Sequence, residues 1–138
     1  MTTGAQADEQ DLMALAGGVE GLRGVVRAFY DALFDDVMIG FMFWGLDKDH
    51  LIEREVELTA RFLGSREVSY QGRPLREAHA RHQITGGQFH RRLQLLREAM
   101  EARGVAEPVR EAWVRHTLAL RGQVTREEGS ACHTQGEP

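Results

Sequence analysis

The chain has 138 residues, 42% of them hydrophobic and 28% charged, with a net charge of −4. That length suits one domain, and the acid excess argues against a nucleic-acid partner. The single cysteine, Cys132, excludes an internal disulfide and a cysteine-rich zinc site. No apolar run reaches the ~20 residues of a membrane span and no secretory signal opens the sequence, so a cytoplasmic protein with no membrane partner is expected.

Thr2–Gln10 is small and polar, and Arg126–Pro138 offers almost nothing to bury. Residues 1–10 and 126–138 therefore read as disordered flanks of one body spanning 11–125. Within that body, Leu22, Val25, Val26, Phe29, Leu33 and Phe34 recur at three- and four-residue spacing after Gly17-Gly18, which predicts an amphipathic helix. A dense aromatic stretch follows, with Phe41 and Phe43-Trp44 adding to Phe29-Tyr30. Leu51, Leu58 and Phe62 form the stripe of a second helix, flanked by Ile52, Val56 and Thr59 and stopped at Gly64-Ser65.

Residues 65–84 lack apolar periodicity but hold Tyr70, Pro74, His79 and His82, and a loop of that length in a small helical domain usually has a function. Thr85 and Gln88 then make a capping box for a third helix with the stripe Phe89, Leu93, Leu96 and Met100. Pro108 suits the first turn of a fourth, carrying Val109, Trp113, Thr117, Leu120 and Val124. Nothing alternates like a strand, so the fold class is all-α.

Chemistry is sparse. His79 and His82 lie three apart, and Asp47 and His50 likewise, but no second ligand pair completes a non-haem iron or di-iron site. A Gly-x-Ser-x-Gly elbow and a phosphate loop are both missing, and Cys132-His133 is half of a haem-attachment signature without its CxxCH. An aromatic-rich helical chain with a histidine on an irregular stretch could hold a flat apolar cofactor through one imidazole. The same histidine could equally be an ordinary core or surface residue.

The run from Tyr70-Gln-Gly72 through His79-Ala80 to Ile84-Thr85 and Phe89 resembles the proximal region of truncated haemoglobins, most closely their first group. Gly17-Gly18, Phe29-Tyr30, Phe43 thirteen residues after Tyr30, and Leu63-Gly64 fall in the order and at the spacing of that family, and the resemblance runs from about Leu15 to Val124. It implies a two-over-two helical sandwich around haem b (iron protoporphyrin IX), with His79 as the axial iron ligand and His82 as its competitor.

It further implies Tyr30 as the distal hydrogen-bond donor, with Phe43, Leu51, Arg54, Glu55, Leu58 and Tyr70 around the macrocycle. Phe41 and Trp44 would stand beside the macrocycle or line the pocket edge. Glu55 stands where the family often has glutamine, and an ionised glutamate cannot donate. It would either enter the pocket or turn outward to an arginine such as Arg54, which is itself a fitting partner for a haem propionate. The implied ligands are dioxygen, nitric oxide and carbon monoxide, for oxygen handling or nitric oxide detoxification. Alternative readings are a haem redox enzyme (a nitric oxide dioxygenase or peroxidase-like protein) and a ligand-sensing module. Turnover would draw on a separate reductase, and the chain would be a monomer or weak dimer.

Overall fold

Two successive glycines set the start of the longest helix. Gly17 and Gly18 have φ of 89° and 73°, a left-handed conformation that a side chain disfavours. They separate a one-turn helix α1 (Leu12–Leu15) from α2 (Gly18–Asp35). A side chain on Gly21 would come within 2.3 Å of the Ala16 carbonyl oxygen, so the α1–α2 corner closes only over a glycine. The computed structural model describes residues 11–65 and 84–121. The expected flanks 1–10 and 126–138 therefore lie outside the described residues.

Helix α2 buries Leu22, Val25, Val26, Phe29, Tyr30 and Leu33, the stripe read from the sequence with Phe34 only partly covered. It stops at Asp36, whose backbone is extended. The Asp36 carboxylate accepts from the amides of Met38 and Ile39, both at 3.0 Å, and so turns the chain into a short 3-10 helix over Gly40–Phe43. Helix α3 (Lys48–Phe62) starts on an Asp47 cap that accepts from the His50 amide. Helix α4 (Gly86–Ala102) starts on the Thr85–Gln88 capping box, with both reciprocal bonds formed at 3.1 and 2.9 Å. Pro108 sits in the first turn of α5 (Glu107–Ala119), where a missing amide proton costs nothing.

The chain is all-helical across these segments. Helix α2 packs against α3 on one side and α4 on the other, and α4 packs against α5. Leu22, Val26, Phe29 and Leu33 from α2 meet Ile52 and Val56 from α3, Leu96 and Met100 from α4, and Val109 and Trp113 from α5 in one core.

Helix α3 departs from the sequence expectation. Its fully packed residues are Ile52, Val56 and Thr59, the expected flanks, together with Ala60. Leu51, Leu58 and Phe62, read as the stripe, are only half-buried. The helix has two apolar faces, and α2 consumes only one of them.

Candidate functional site

The second face of α3 opens on the site. Leu51, Glu55, Leu58 and Phe62 follow at intervals of four, three and four and so share one side of the helix. Facing them from α2 is Tyr30, 7% exposed, whose ring stands edge-on to Phe29 at 5.3 Å and to Phe43 at 6.3 Å. Phe43 closes the 3-10 helix and is propped by Phe34, 5.4 Å between ring centres. Edge-to-face packing of this kind fixes ring orientation as well as burying area. The phenol of Tyr30 is thereby held in one direction.

Glu55 turns inward. Its Oε1 accepts from Arg92 on α4 at 3.3 Å, and its Oε2 accepts from the Thr59 hydroxyl at 3.3 Å. The Arg92 guanidinium also interacts with the Tyr30 phenol and lies over the Phe29 ring, 4.9 Å from its centre. Burial disfavours the charge on Arg92, but the nearby Glu55 carboxylate and Tyr30 outweigh it and hold its pKa above the usual value. Across the same region His116 of α5 stacks on Phe62, 3.8 Å between ring centres and 17° between planes. Its Nε2 is buried with no partner among the described residues. Burial pushes its pKa below 6.5, with Glu55 pulling the other way.

Tyr30, Phe43, Leu51, Glu55 and Leu58 are thus brought into one neighbourhood. Arg54 is not the partner of Glu55: it pairs with Glu57, one turn along the same helix, at 2.7 Å. Its Nε is buried and has no partner among the described residues. Phe41 and Trp44 are 53% and 74% exposed, so neither is enclosed in a pocket wall. His50 is exposed. His79, His82, Tyr70 and the Cys132-His133 pair lie outside the described residues.

Sequence reasoning missed Arg92. The signal that could have found it is spacing: at about 100° per residue Arg92 falls beside the Phe89–Leu93–Leu96 stripe and Arg91 falls away from it. Among the described residues no group of three or more histidine, cysteine, aspartate or glutamate side chains could hold a bare metal ion. No described helix is long and apolar enough to cross a membrane.

The helical fold, with a buried tyrosine facing a half-open apolar helix face, has the architecture of the truncated globins it superposes on. The bacterial-like globin family model matches residues 12–126, and the chain belongs to that family. No curated protein sequence matches it significantly. Among solved structures, a point variant of the ferric truncated hemoglobin from Tetrahymena pyriformis superposes with a TM-score of 0.77 at 21% identity, covering 84% of this chain and 98% of that one. The unsubstituted ferric form of that protein gives 0.74 at 20% identity with the same coverage. A cold-adapted truncated hemoglobin from the Antarctic marine bacterium Pseudoalteromonas haloplanktis gives 0.71 at 17% identity, covering 85% and 98%.

As a globin, the chain is a haem-binding protein of a family whose members bind diatomic gases. The residues fit that group. Leu51, Leu58 and Phe62 present an apolar helix face that the α2 packing leaves half-exposed, and Phe43 and Tyr30 supply aromatic walls beside it. A flat apolar ligand would remove that surface from water.

Proposed function

We propose that the chain is a haem b protein of the oxygen-handling or nitric-oxide-detoxifying kind, with His79 as the axial ligand and Tyr30 as the distal donor. The observation that carries this reading is the Tyr30 phenol. It is buried, fixed by two edge-on rings, and faces the open side of α3 together with Glu55 and Arg92. Haem, when bound, supplies an iron centre for small diatomic ligands, and the protein's part is to orient and shield what enters the pocket.

A dioxygen ligand carries partial negative charge, which a phenol proton stabilises by about 1–2 kcal/mol. Leu51 and Leu58 keep that side of the pocket apolar and limit competing water. Phe43 would pack against the macrocycle, Tyr70 is proposed as a further cofactor contact, and Arg54, whose Nε has no partner among the described residues, is available to a propionate. Solved variants of the Tetrahymena pyriformis protein replace a tyrosine by phenylalanine and two glutamines by glutamate, and the separations of those positions equal the separations of Tyr30 from Leu51 and Glu55. That spacing supports Tyr30, Leu51 and Glu55 as pocket residues.

Conversion of nitric oxide and dioxygen to nitrate would need one electron per turnover, drawn from a separate reductase. The single cysteine accords with a reduced, cytoplasmic setting, and we take the chain as a monomer or weak dimer. Absorption spectra of the ferric, ferrous and carbonyl forms test the reading directly. The intact chain is expected to show a Soret band that moves on reduction and on addition of carbon monoxide. His79→Ala is expected to lose most of its haem during purification, and a His79→Ala protein with an unchanged Soret band would overturn the assignment.

A further inference from the structure

The side-chain cluster around Glu55 holds more chemistry than a neutral diatomic ligand uses. A carboxyl group and a guanidinium meet beside the Tyr30 phenol, although burying such a pair is expensive and a glutamine or a leucine would pack there at lower cost. The pair is loosely made. Glu55 accepts one bond from Arg92 and one from Thr59, each at 3.3 Å, whereas the neighbouring Arg91 reaches its carboxylate at 2.6 Å. A carboxylate offers about four acceptor sites, and among the described residues Glu55 uses two of them, each in a long bond. The side chains are covered without being sealed off, with 13% of Glu55 and 26% of Arg92 exposed.

We propose that Glu55 and Arg92 form an exchange pair for protic ligands: Glu55 takes the proton of a small acid HX entering the pocket, and the Arg92 guanidinium takes over the resulting anion. The class is small weak acids that arrive neutral and are retained as anions, such as hydrogen cyanide or hydrogen sulfide. The balance is simple. HX and a carboxylate become X⁻ and a carboxylic acid, no electron moves, and Arg92 keeps its proton throughout.

The energetic reason is that the buried charge pair is moved rather than broken. An arginine–carboxylate pair becomes an arginine–anion pair, so no uncompensated ion is left in the pocket. A glutamine at position 55 could not accept the proton, and an apolar residue at 92 would leave the anion unpaired. Tyr30 contributes a second donor to the retained anion.

This inference rests on the haem reading of the pocket, and the test separates the two. Hydrogen cyanide binding to the ferric holoprotein and carbon monoxide binding to the ferrous holoprotein are followed by stopped flow in the intact chain, Glu55→Gln and Arg92→Met. Carbon monoxide has no proton to give and so reports on access and haem loading alone. Glu55→Gln, which preserves shape, is expected to slow cyanide association by about tenfold or more while carbon monoxide association stays within about twofold. Arg92→Met is expected to act in the same direction. The double variant is expected to be no worse than the poorer single one, because the two residues act as a unit.

A cyanide-to-carbon-monoxide rate ratio that is unchanged in Glu55→Gln overturns the exchange pair and leaves the haem reading standing. An intact chain that takes up no haem overturns both. If Arg92→Met does not fold, Arg92→Lys keeps the cation and Glu55→Gln alone decides.

Discussion

The two faces of α3 are both apolar, but they are treated differently. Ile52, Val56, Thr59 and Ala60 are closed against the core, while Leu51, Leu58 and Phe62 on the other face remain half-covered with Glu55 among them. Two adjacent arginines on α4 repeat the contrast. Arg91 puts both Nε and Nη2 on Asp36 Oδ1, at 3.0 and 2.6 Å, while Asp36 Oδ2 takes two backbone amides, so this carboxylate is fully used in holding a turn. Arg92 makes a longer, single contact to Glu55 and shares itself with Tyr30 and Phe29. Saturated partners mark the scaffold, and unsaturated ones mark the pocket.

The largest effect should come from the closed face. Ile52 is fully buried, so Ile52→Ala is expected to cost about 2–5 kcal/mol in both apo- and holoprotein. Leu58→Ala on the open face is expected to cost the apoprotein less, about 1 kcal/mol, and to show itself instead as faster haem loss. Chemical denaturation of the apo forms and haem transfer to an acceptor protein measure the two quantities. Equal apo destabilisation by both variants would erase the distinction between the faces.

The pocket side is sharpened by Tyr30→Phe. This change keeps the ring that packs on Phe29 and Phe43 and removes the hydroxyl with its contact to Arg92, so stability should fall by about 1 kcal/mol. The dioxygen dissociation rate is expected to rise several-fold to about tenfold, the equivalent of 1–2 kcal/mol. An unchanged rate would demote Tyr30 to a wall residue.

The clamp side is tested by acid. The Arg91 guanidinium on Asp36, helped by the Ile39 and Met38 amides, holds the Asp36 carboxyl below its ordinary 3.8 despite burial. A carboxyl depressed in the folded state contributes stability that is complete above its unfolded value and is lost as pH falls toward the folded one. Asp36→Asn should therefore lower the melting temperature near neutrality and flatten its fall below about pH 4. Ligand kinetics should be unaltered, in contrast to any change at Arg92.

Where a signal is local, the sequence states it well. The Thr85–Gln88 box needs only two residues at fixed spacing, and Gly17-Gly18 needs only the φ that glycine tolerates. The two apolar faces of α3 were harder to assign, because periodicity shows that a face is apolar without showing what covers it. The 3-10 helix at Gly40–Phe43 gave no periodic signal, and α1 was too short to give one. Tyr30 and Glu55 could be placed because family spacing carries them. The Arg92–Glu55 contact joins residues 37 apart, and nothing in either neighbourhood names the other.

The smallest effect lies where pocket and scaffold meet, at His116. Its ring is stacked on Phe62 and its buried Nε2 has no partner among the described residues, so the neutral form is the one that fits. Burial depresses the pKa below 6.5 more than Glu55 restores it. Below 6.5 the unfolded chain takes up a proton that the folded chain resists, so stability declines as pH falls through that region and recovers as it rises. His116→Phe keeps the stack and removes the nitrogen. It should leave the melting temperature near pH 8 almost unchanged and reduce its decline below 6.5. A decline as steep as in the parent chain would mean that the acid sensitivity does not come from the stacked imidazole.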